Sequence, residues 1–374
     1  METTYKVPYT TVLAISPHTN ADKLELATVY GFQVIVQKGR YKPGDKIVYI
    51  PIDSILPPKI ENVLFPADSK IKLSKSRVRQ IRIRGLASQG MVVDPSEVAS
   101  ILNLDRLAVE TDLQLILEVK KYEPPETFIG KTGTPKSRDP KKANPHFHKY
   151  NGVENIKWFP NLFEEGERAV IQEKLHGTNC RAGLLPFNAN SLWKKIKRFF
   201  GLAPKYEKCY GSNNVDISSK GNHGGYYGED VYGKTLNAIN VFDKLKPGET
   251  VYGEIIGPGI QKNYEYGLKE LRFVLFDVKI LKHDGSQEWL NPDDVEKFAK
   301  ERGFEMAPVI YKGPFNLAFT KVLSTGNSVY CPAQKNREGV VIKSQYAYNN
   351  QGNKKALKLI NEAYLDDKTN TDYH

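Results

Sequence analysis

The stretch from about Pro124 to Pro145 does most to limit what this chain can fold into. Glycine, proline, lysine and threonine crowd it, with Gly130-Lys131-Thr132-Gly133-Thr134-Pro135-Lys136 at its centre. Residues of that kind end elements and join them. The chain therefore reads as a first domain over residues 1–124, a linker over 125–145, and a second domain over 146–374. With 374 residues and 40% apolar content, it is long enough for two separate cores. Gly130-Lys131-Thr132 has the ending of a phosphate-binding loop, but Pro125 stands where the leading glycine belongs and no strand runs in, so that reading is set aside.

The first domain carries short apolar runs at Thr11–Ile15, Leu24–Val29, Phe32–Val36 and Lys46–Ile50, separated by turn-rich clusters. Closely spaced strands of this sort predict a small barrel. In Lys70-Ile71-Lys72-Leu73 and Gln80-Ile81-Arg82-Ile83-Arg84, basic and apolar residues alternate. As strands, these segments would bury one face and turn Lys70, Lys72, Arg82 and Arg84 toward a phosphate backbone or toward solvent.

A net charge of +11 favours a polyanionic partner. No apolar run approaches the roughly 18 residues of a membrane span, and Met1-Glu2-Thr3-Thr4-Tyr5-Lys6 lacks the apolar stretch of a signal peptide. The expectation is a soluble intracellular protein, cytoplasmic or nuclear, not secreted and without a membrane partner. Cys180, Cys209 and Cys331 are too scattered for a zinc site or a disulfide framework.

The second domain mixes strands with a few helices, an α+β pattern with an antiparallel core and peripheral helices. Asn291-Pro292-Asp293-Asp294 opens a helix that Gly303 ends, with Val295, Phe298 and Ala299 as its buried stripe. Leu192-Trp193-Lys194-Lys195-Ile196-Lys197-Arg198-Phe199-Phe200 is amphipathic. Contact with nucleic acid or a membrane surface is one reading of it; the expectation is a helical insertion packed on the domain.

The chemistry centres on Lys174-Leu175-His176-Gly177-Thr178-Asn179. Ala169-Val170-Ile171-Gln172-Glu173 reads as a partly buried strand that delivers Lys174 to a pocket rim just before a glycine turn. An unperturbed lysine titrates at about 10.4, and lowering that by about three pH units takes roughly 4 kcal/mol from desolvation and nearby cations. Further partners come later. Glu254 ends a strand between Gly253 and Gly257, Phe276 sits in the run Leu271–Val278, Glu338 precedes Gly339-Val340-Val341-Ile342-Lys343, and Lys358 lies in Ala356-Leu357-Lys358-Leu359-Ile360-Asn361. Singly, each reads as an ordinary surface or core residue; the order of all of them does not.

That order resembles the covalent nucleotidyltransferases: RNA ligases, DNA ligases and messenger-capping enzymes. Their signature runs Lys-x-Asp-Gly, a glutamate after glycine, an aromatic strand, Glu-Gly-Val-Val and a strand lysine. Here His176 replaces the aspartate, the form typical of nick-sealing RNA ligases. His148-Lys149-Tyr150 and Trp158-Phe159-Pro160 look like the opening of the same domain, and the resemblance covers about residues 146 to 365. Glu25–Val29, Gly31-Phe32-Gln33-Val34, Lys38-Gly39, Pro43-Gly44-Asp45 and Gly85–Gly90 resemble the N-terminal OB module of the RNA ligases that carry their accessory domain first. Two positions depart from the pattern. Gly211-Ser212-Asn213-Asn214 stands where Gly-Ser-Arg-Asn is usual, and Ala356 takes the place of the first of two lysines, leaving Lys358 as the safer match and Lys354 or Lys355 as substitutes.

The resemblance implies an ATP-dependent RNA ligase that joins 3′-hydroxyl and 5′-phosphate ends through a lysyl-AMP and an RNA-adenylate, at nicks in duplexes, as in RNA repair. It implies Lys174 as nucleophile, Phe276 stacked on adenine, Glu173 at the adenine edge, Glu254 on ribose or metal water, and Lys358 on the α-phosphate. Glu338, then Glu254, would hold Mg2+ or Mn2+, His176 and Asn179 would orient the leaving pyrophosphate or the 5′-phosphate, and Gly177 would join them in binding the nucleotide. The partner implied is a nicked RNA duplex bound by a monomer. The competing readings are a DNA ligase or capping-type enzyme, and an RNA-binding protein whose transferase fold is inactive.

Overall fold

The computed structural model describes residues 5–69, 72–102, 107–123, 127–129, 135–137, 143–150, 152–189, 192–218, 227, 229–262, 264–348 and 354–367. Its contacts divide the chain into two compact units, one within Met1–Pro124 and one within Pro125–Thr371.

The first unit is built from short antiparallel strands. Lys46–Ile50 is the central strand between Tyr9–Thr11 and Met91–Val93, and Ala14–Pro17, Leu24–Val29 and Phe32–Gln37 form a meander. Alternation along these strands turns Ala27, Val29, Phe32, Val34 and Val36 inward, while Val7, Val48, Ile50, Leu56, Val93 and Leu113 close a core. Two sequence expectations fail here. The run Thr11–Ile15 is broken, one strand ending at Thr11 and the next starting at Ala14. The Gln80–Arg84 segment does not form a half-buried cationic face. Lys70 and Ile71 lie outside the described residues, and Lys72 and Leu73 are irregular. Ile81–Ile83 pairs only with Leu86–Ser88 among the described strands, and Ile81 is exposed. The reason is the turn: Arg84 and Gly85 both have positive φ, 51° and 95°, so the segment folds back as a two-residue hairpin and does not run on across the barrel.

Within 125–145, Thr127–Ile129 pairs antiparallel with Pro135–Ser137, so part of the linker is a two-stranded hairpin. Gly130–Thr134, the rest of the glycine-rich centre, lies outside the described residues.

The second unit holds two five-stranded sheets. One runs Glu154–Asn155, Lys354–Ile360, Gly339–Tyr348, Arg168–Lys174, Val309–Pro314; the other runs Tyr206–Ser212, Thr178–Pro186, Glu249–Ile256, Arg272–Leu281, Gln287–Trp289. Every pairing is antiparallel except that of Glu154–Asn155 with Lys354–Ile360. Ala169, Ile171, Val340, Ile342, Leu357 and Leu359 build the core of the first sheet. Val251, Ile255, Phe273, Leu275 and Val278 build that of the second, under the helices Val231–Ala238 and Pro292–Arg302. The latter helix forms as its sequence predicts: the Asn291 side chain accepts from the Asp294 N–H at 2.9 Å, Val295, Phe298 and Ala299 are buried, and Gly303 ends it at φ 64°.

The Leu192–Phe199 segment is helical, but it is not packed on the domain. Trp193 is 75% exposed, Phe199 85% and Phe200 67%. It is inserted in the connection between Thr178–Pro186 and Tyr206–Ser212, whose ladder already closes at Pro186 opposite Tyr206. Among the described residues no helix is long and apolar enough to cross a membrane, and all three cysteines are free.

Candidate active site

Lys174 ends the Arg168–Lys174 strand of one sheet, and after Leu175, His176 and Gly177 the chain enters Thr178–Pro186 of the other. A cavity of about 190 Å³ lies where the sheets meet, lined by residues of both, among them Glu173, Lys174, Asn179, Glu254, Phe276 and Lys358. Six of the residues singled out in the sequence therefore share one wall system.

Register explains the assembly. Lys174 is paired with Gly339, which places it beside Glu338, and the Lys174 Nζ donates to Glu338 Oε1 in a salt bridge. Asn179 is paired with Glu254, and Lys358 with Val341. Close packing of glycines allows the approach: a Cβ on Gly177 would lie 2.8 Å from the Glu254 Cγ, and one on Gly253 would lie 2.5 Å from the Phe273 ring. Phe276 depends on an irregularity. Tyr252 pairs with Asp277 and Gly253 with Leu275, so Phe276 is the extra residue of a β-bulge, re-aimed from the sheet into the cavity.

The cavity region is unusual in its hydrogen bonding. Buried oxygens Gln172 Oε1, Glu173 Oε1, Asn179 Oδ1 and Glu338 Oε2 have no hydrogen-bond partner among the described residues. Buried polar atoms are rarely left so, and each unpaired acceptor costs about 1–3 kcal/mol. An array of acceptors calls for donors or a cation. Glu173 is held for this by its other oxygen, Oε2, which accepts from the Val329 and Tyr330 N–H groups at 2.8 and 2.9 Å.

His176 is placed otherwise than on the cavity wall. It is 3% exposed, edge-on to Tyr264 and Tyr364, with Nδ1 4.0 Å from Glu338 Oε2 and its backbone N–H donating to the Tyr266 hydroxyl at 2.7 Å. It stands behind Glu338, so its side chain is not placed to touch a phosphate in the cavity. Gly177 also lies off the wall, its carbonyl accepting from Gln261 Nε2 at 2.8 Å. Asn213, where an arginine is usual, accepts from the Tyr150 N–H at 2.9 Å.

Sequence reasoning missed a charged cluster at the cavity's edge. Asp277, fully buried, receives the Tyr150 hydroxyl at 3.0 Å and Lys343 Nζ at 3.3 Å, and it pairs with Lys354. Lys343 also donates to the Phe276 carbonyl at 2.6 Å. Burial works to raise the Asp277 carboxyl, but the Lys343 and Lys354 ammonium groups hold it below the ordinary range. Burial in turn brings Lys343 down to about 8 against the pull of Asp277. Lys343 lies opposite Ala356 in the ladder and lines the cavity; Lys354 and Lys355, the substitutes suggested by the sequence, pair instead with Asp277 and Glu167. Lys343 closes the apolar run Val340-Val341-Ile342, which masks it as part of a core strand, and Tyr150 stands in a short motif that carries no sign of a buried partner.

Burial pushes the Glu254 carboxyl up to about 8, with Lys174 opposing the rise and Glu338 adding to it. Its folded value therefore lies above the unfolded one, and the folded chain keeps a proton that the unfolded chain releases. That contribution to stability is complete below about pH 4.5 and is lost as pH climbs through about 8. Thermal melts of the metal-free protein in chelator should fall across this window by on the order of a few kcal/mol, and Glu254→Gln should flatten the fall. An unchanged slope in the variant would place the titrating group elsewhere.

Two largely antiparallel sheets meeting at a lysine beside a glutamate, with a small unit of short antiparallel strands ahead of them in the chain, define a nucleotidyltransferase fold with an OB-fold domain. Family models agree: "RNA ligase" matches residues 167–360, and "PHA02142 OB-fold domain" matches residues 7–95. The chain belongs to the RNA ligase family. Among solved structures it is similar to an RNA ligase of Naegleria gruberi in a lysine-to-alanine variant with ATP and Mn, at 20% identity and TM-score 0.67 over 97% of this chain and 98% of that one. The same enzyme with PPi matches at 20% identity and TM-score 0.65, over 96% and 97%. Its lysine-to-methionine variant with AMP and Mn matches at 20% identity and TM-score 0.67, again over 96% and 97%.

Proposed function

We propose that this RNA ligase is ATP-dependent and joins a 3′-hydroxyl to a 5′-phosphate through a lysyl-AMP, acting as a monomer at nicks in duplex RNA. The observation that carries the reading is Lys174 at the edge of a cavity whose buried acceptors lack donors. An adenine amino group, ribose hydroxyls and metal-bound waters are donors of the kind such acceptors take. The ATP, AMP, PPi and Mn in the titles of the Naegleria structures support the same substrate and metal class.

In this reading Lys174 attacks the α-phosphorus and pyrophosphate leaves; the adenylate passes to the 5′-phosphate, and the 3′-hydroxyl then displaces AMP. Phe276 offers its ring to adenine, and Glu173 Oε1 faces the amino edge. Glu254 serves ribose, Lys358 and Lys343 neutralise phosphate charge, and Asn179 orients the departing group. Glu338 is the first candidate to hold Mg2+ or Mn2+, because its Oε2 is buried and unpartnered, and Glu254 is the second. Among the described residues no group of three or more acidic, histidine or cysteine side chains assembles a metal site, so phosphate oxygens and water would complete the shell. A divalent ion would supply charge stabilisation at the α-phosphate. The exposed Arg84, the half-buried Arg82 and the exposed Lys72 add positive charge on the OB-fold unit for RNA.

The test is sealing of three 5′-phosphorylated substrates with ATP and Mg2+ or Mn2+: a nicked RNA duplex, an all-DNA nick and single-stranded RNA. The nicked RNA duplex should be joined at least about tenfold faster than the others, the ratio set by roughly 1.4 kcal/mol of transition-state discrimination. Equal or faster joining of the DNA nick, or none of any substrate, would overturn it.

A further inference from the structure

We propose that the Leu192–Phe199 helix, with Phe200 and Leu202, is an in-plane anchor that seats the protein on an anionic lipid surface. At the 100° step of an α-helix, Trp193, Ile196, Phe199 and Phe200 fall within roughly 120° of arc, and Lys194, Lys195, Lys197 and Arg198 fall in the remainder. The structure leaves most of the apolar arc in solvent: Trp193, Phe199 and Phe200 are at least 67% exposed and Ile196 36%, with Leu202, just beyond the helix, exposed as well. A groove of about 680 Å³ separates the helix from the body, with Lys195, Arg198 and Phe199 on one side and His146, Pro186 and Phe187 on the other. The helix touches the body through Lys194, whose Nζ lies 5.3 Å from the centroid of the Phe187 ring, and keeps its aromatic side open.

Charge selects the occupant. From Phe187 to Tyr206 the chain carries Lys194, Lys195, Lys197, Arg198 and Lys205 and no acidic residue. A second copy of the same helix would set these cations against one another. RNA would satisfy the cations but leave a continuous apolar stripe without a partner. An anionic bilayer takes both faces at once: aromatic and aliphatic side chains enter the acyl boundary while lysine and arginine stay among the head groups. The proposal is independent of the ligase assignment.

The experiment is flotation of the full chain with phosphatidylcholine vesicles, with and without phosphatidylglycerol, alongside Phe199→Asp/Phe200→Asp and Lys195→Gln/Lys197→Gln/Arg198→Gln variants. The wild type should float with the anionic vesicles only, with a blue shift in tryptophan emission as Trp193 leaves water. The aspartate variant should stay in the dense fraction, and the glutamine variant should lose about fivefold in partitioning per cation removed. Thermal melts matching wild type show that the variants fold. Absence of wild-type flotation, or equal flotation of the aspartate variant, overturns the proposal. So does loss of nicked-RNA binding by gel shift in a variant whose parent ignores vesicles, which would make the helix an RNA contact.

Discussion

Lys174→Ala should abolish the covalent nucleotide adduct, read as intact mass after incubation with ATP and Mg2+ or Mn2+, while the wild type gains one AMP. The expected loss is complete, because no other amine among the described residues takes the position. Lys343 and Lys358 line the same cavity, but both belong to the central strands of the sheet and lie away from the glycine turn. Lys343 is further tied to Asp277 and the Phe276 carbonyl. Only Lys174 is both paired with Glu338 and followed by a turn that brings the next strand against Glu254. The variant should still join an RNA supplied already adenylated, since that last displacement needs no lysine nucleophile. An adduct on the alanine variant would sink the assignment; failure with preadenylated RNA alone would show that Lys174 also positions the RNA end.

Asp277→Ala should be the most damaging substitution for stability, at about 3–5 kcal/mol, the cost of leaving buried charges unpaired. Lys343 is 3% exposed and Lys354 7%, and both ammonium groups lean on this one carboxylate. The exposed Lys312 bridges to Asp293 and Glu296 are a useful contrast, worth about 0–1 kcal/mol. Urea midpoints measure both. The Asp277→Ala deficit should shrink at alkaline pH, because Lys343, already brought down to about 8, can then shed its proton inside the fold. A deficit no larger than that of the surface pair would mean that water reaches the cluster.

Much of this was legible in the sequence. Periodicity and caps locate the strands around Lys174, Glu254, Phe276, Glu338 and Lys358 and the helix from Asn291, because those residues obey local rules. What escaped was tertiary. Phe276 reaches the cavity through a bulge that no alternation pattern marks. Asp277 lies in a run that reads as plain core, and its two lysine partners come from strands more than sixty residues away. The place of His176 in the motif points to the phosphates, yet its ring packs edge-on to Tyr264 and Tyr364, with Nδ1 4.0 Å from Glu338 Oε2. Alternation likewise predicted a cationic strand face at Arg82 and Arg84 and could not foresee the tight hairpin that exposes Ile81. The amphipathic stripe of Leu192–Phe200 was plain; periodicity shows that a helix has an apolar side and is silent about what covers it.

The two sheets of the catalytic unit are fastened at several places, two of which bound the cavity. Leu175, His176 and Gly177 join them covalently, and Asp277 of one sheet clasps Lys343 and Lys354 of the other. A slot pinned at both margins has a fixed gauge. Separating the walls would have to break the buried Asp277 ion pairs as well as strain the Leu175–Gly177 turn. The carboxylate that looks like a mere counter-ion is, mechanically, the rivet opposite the nucleophile.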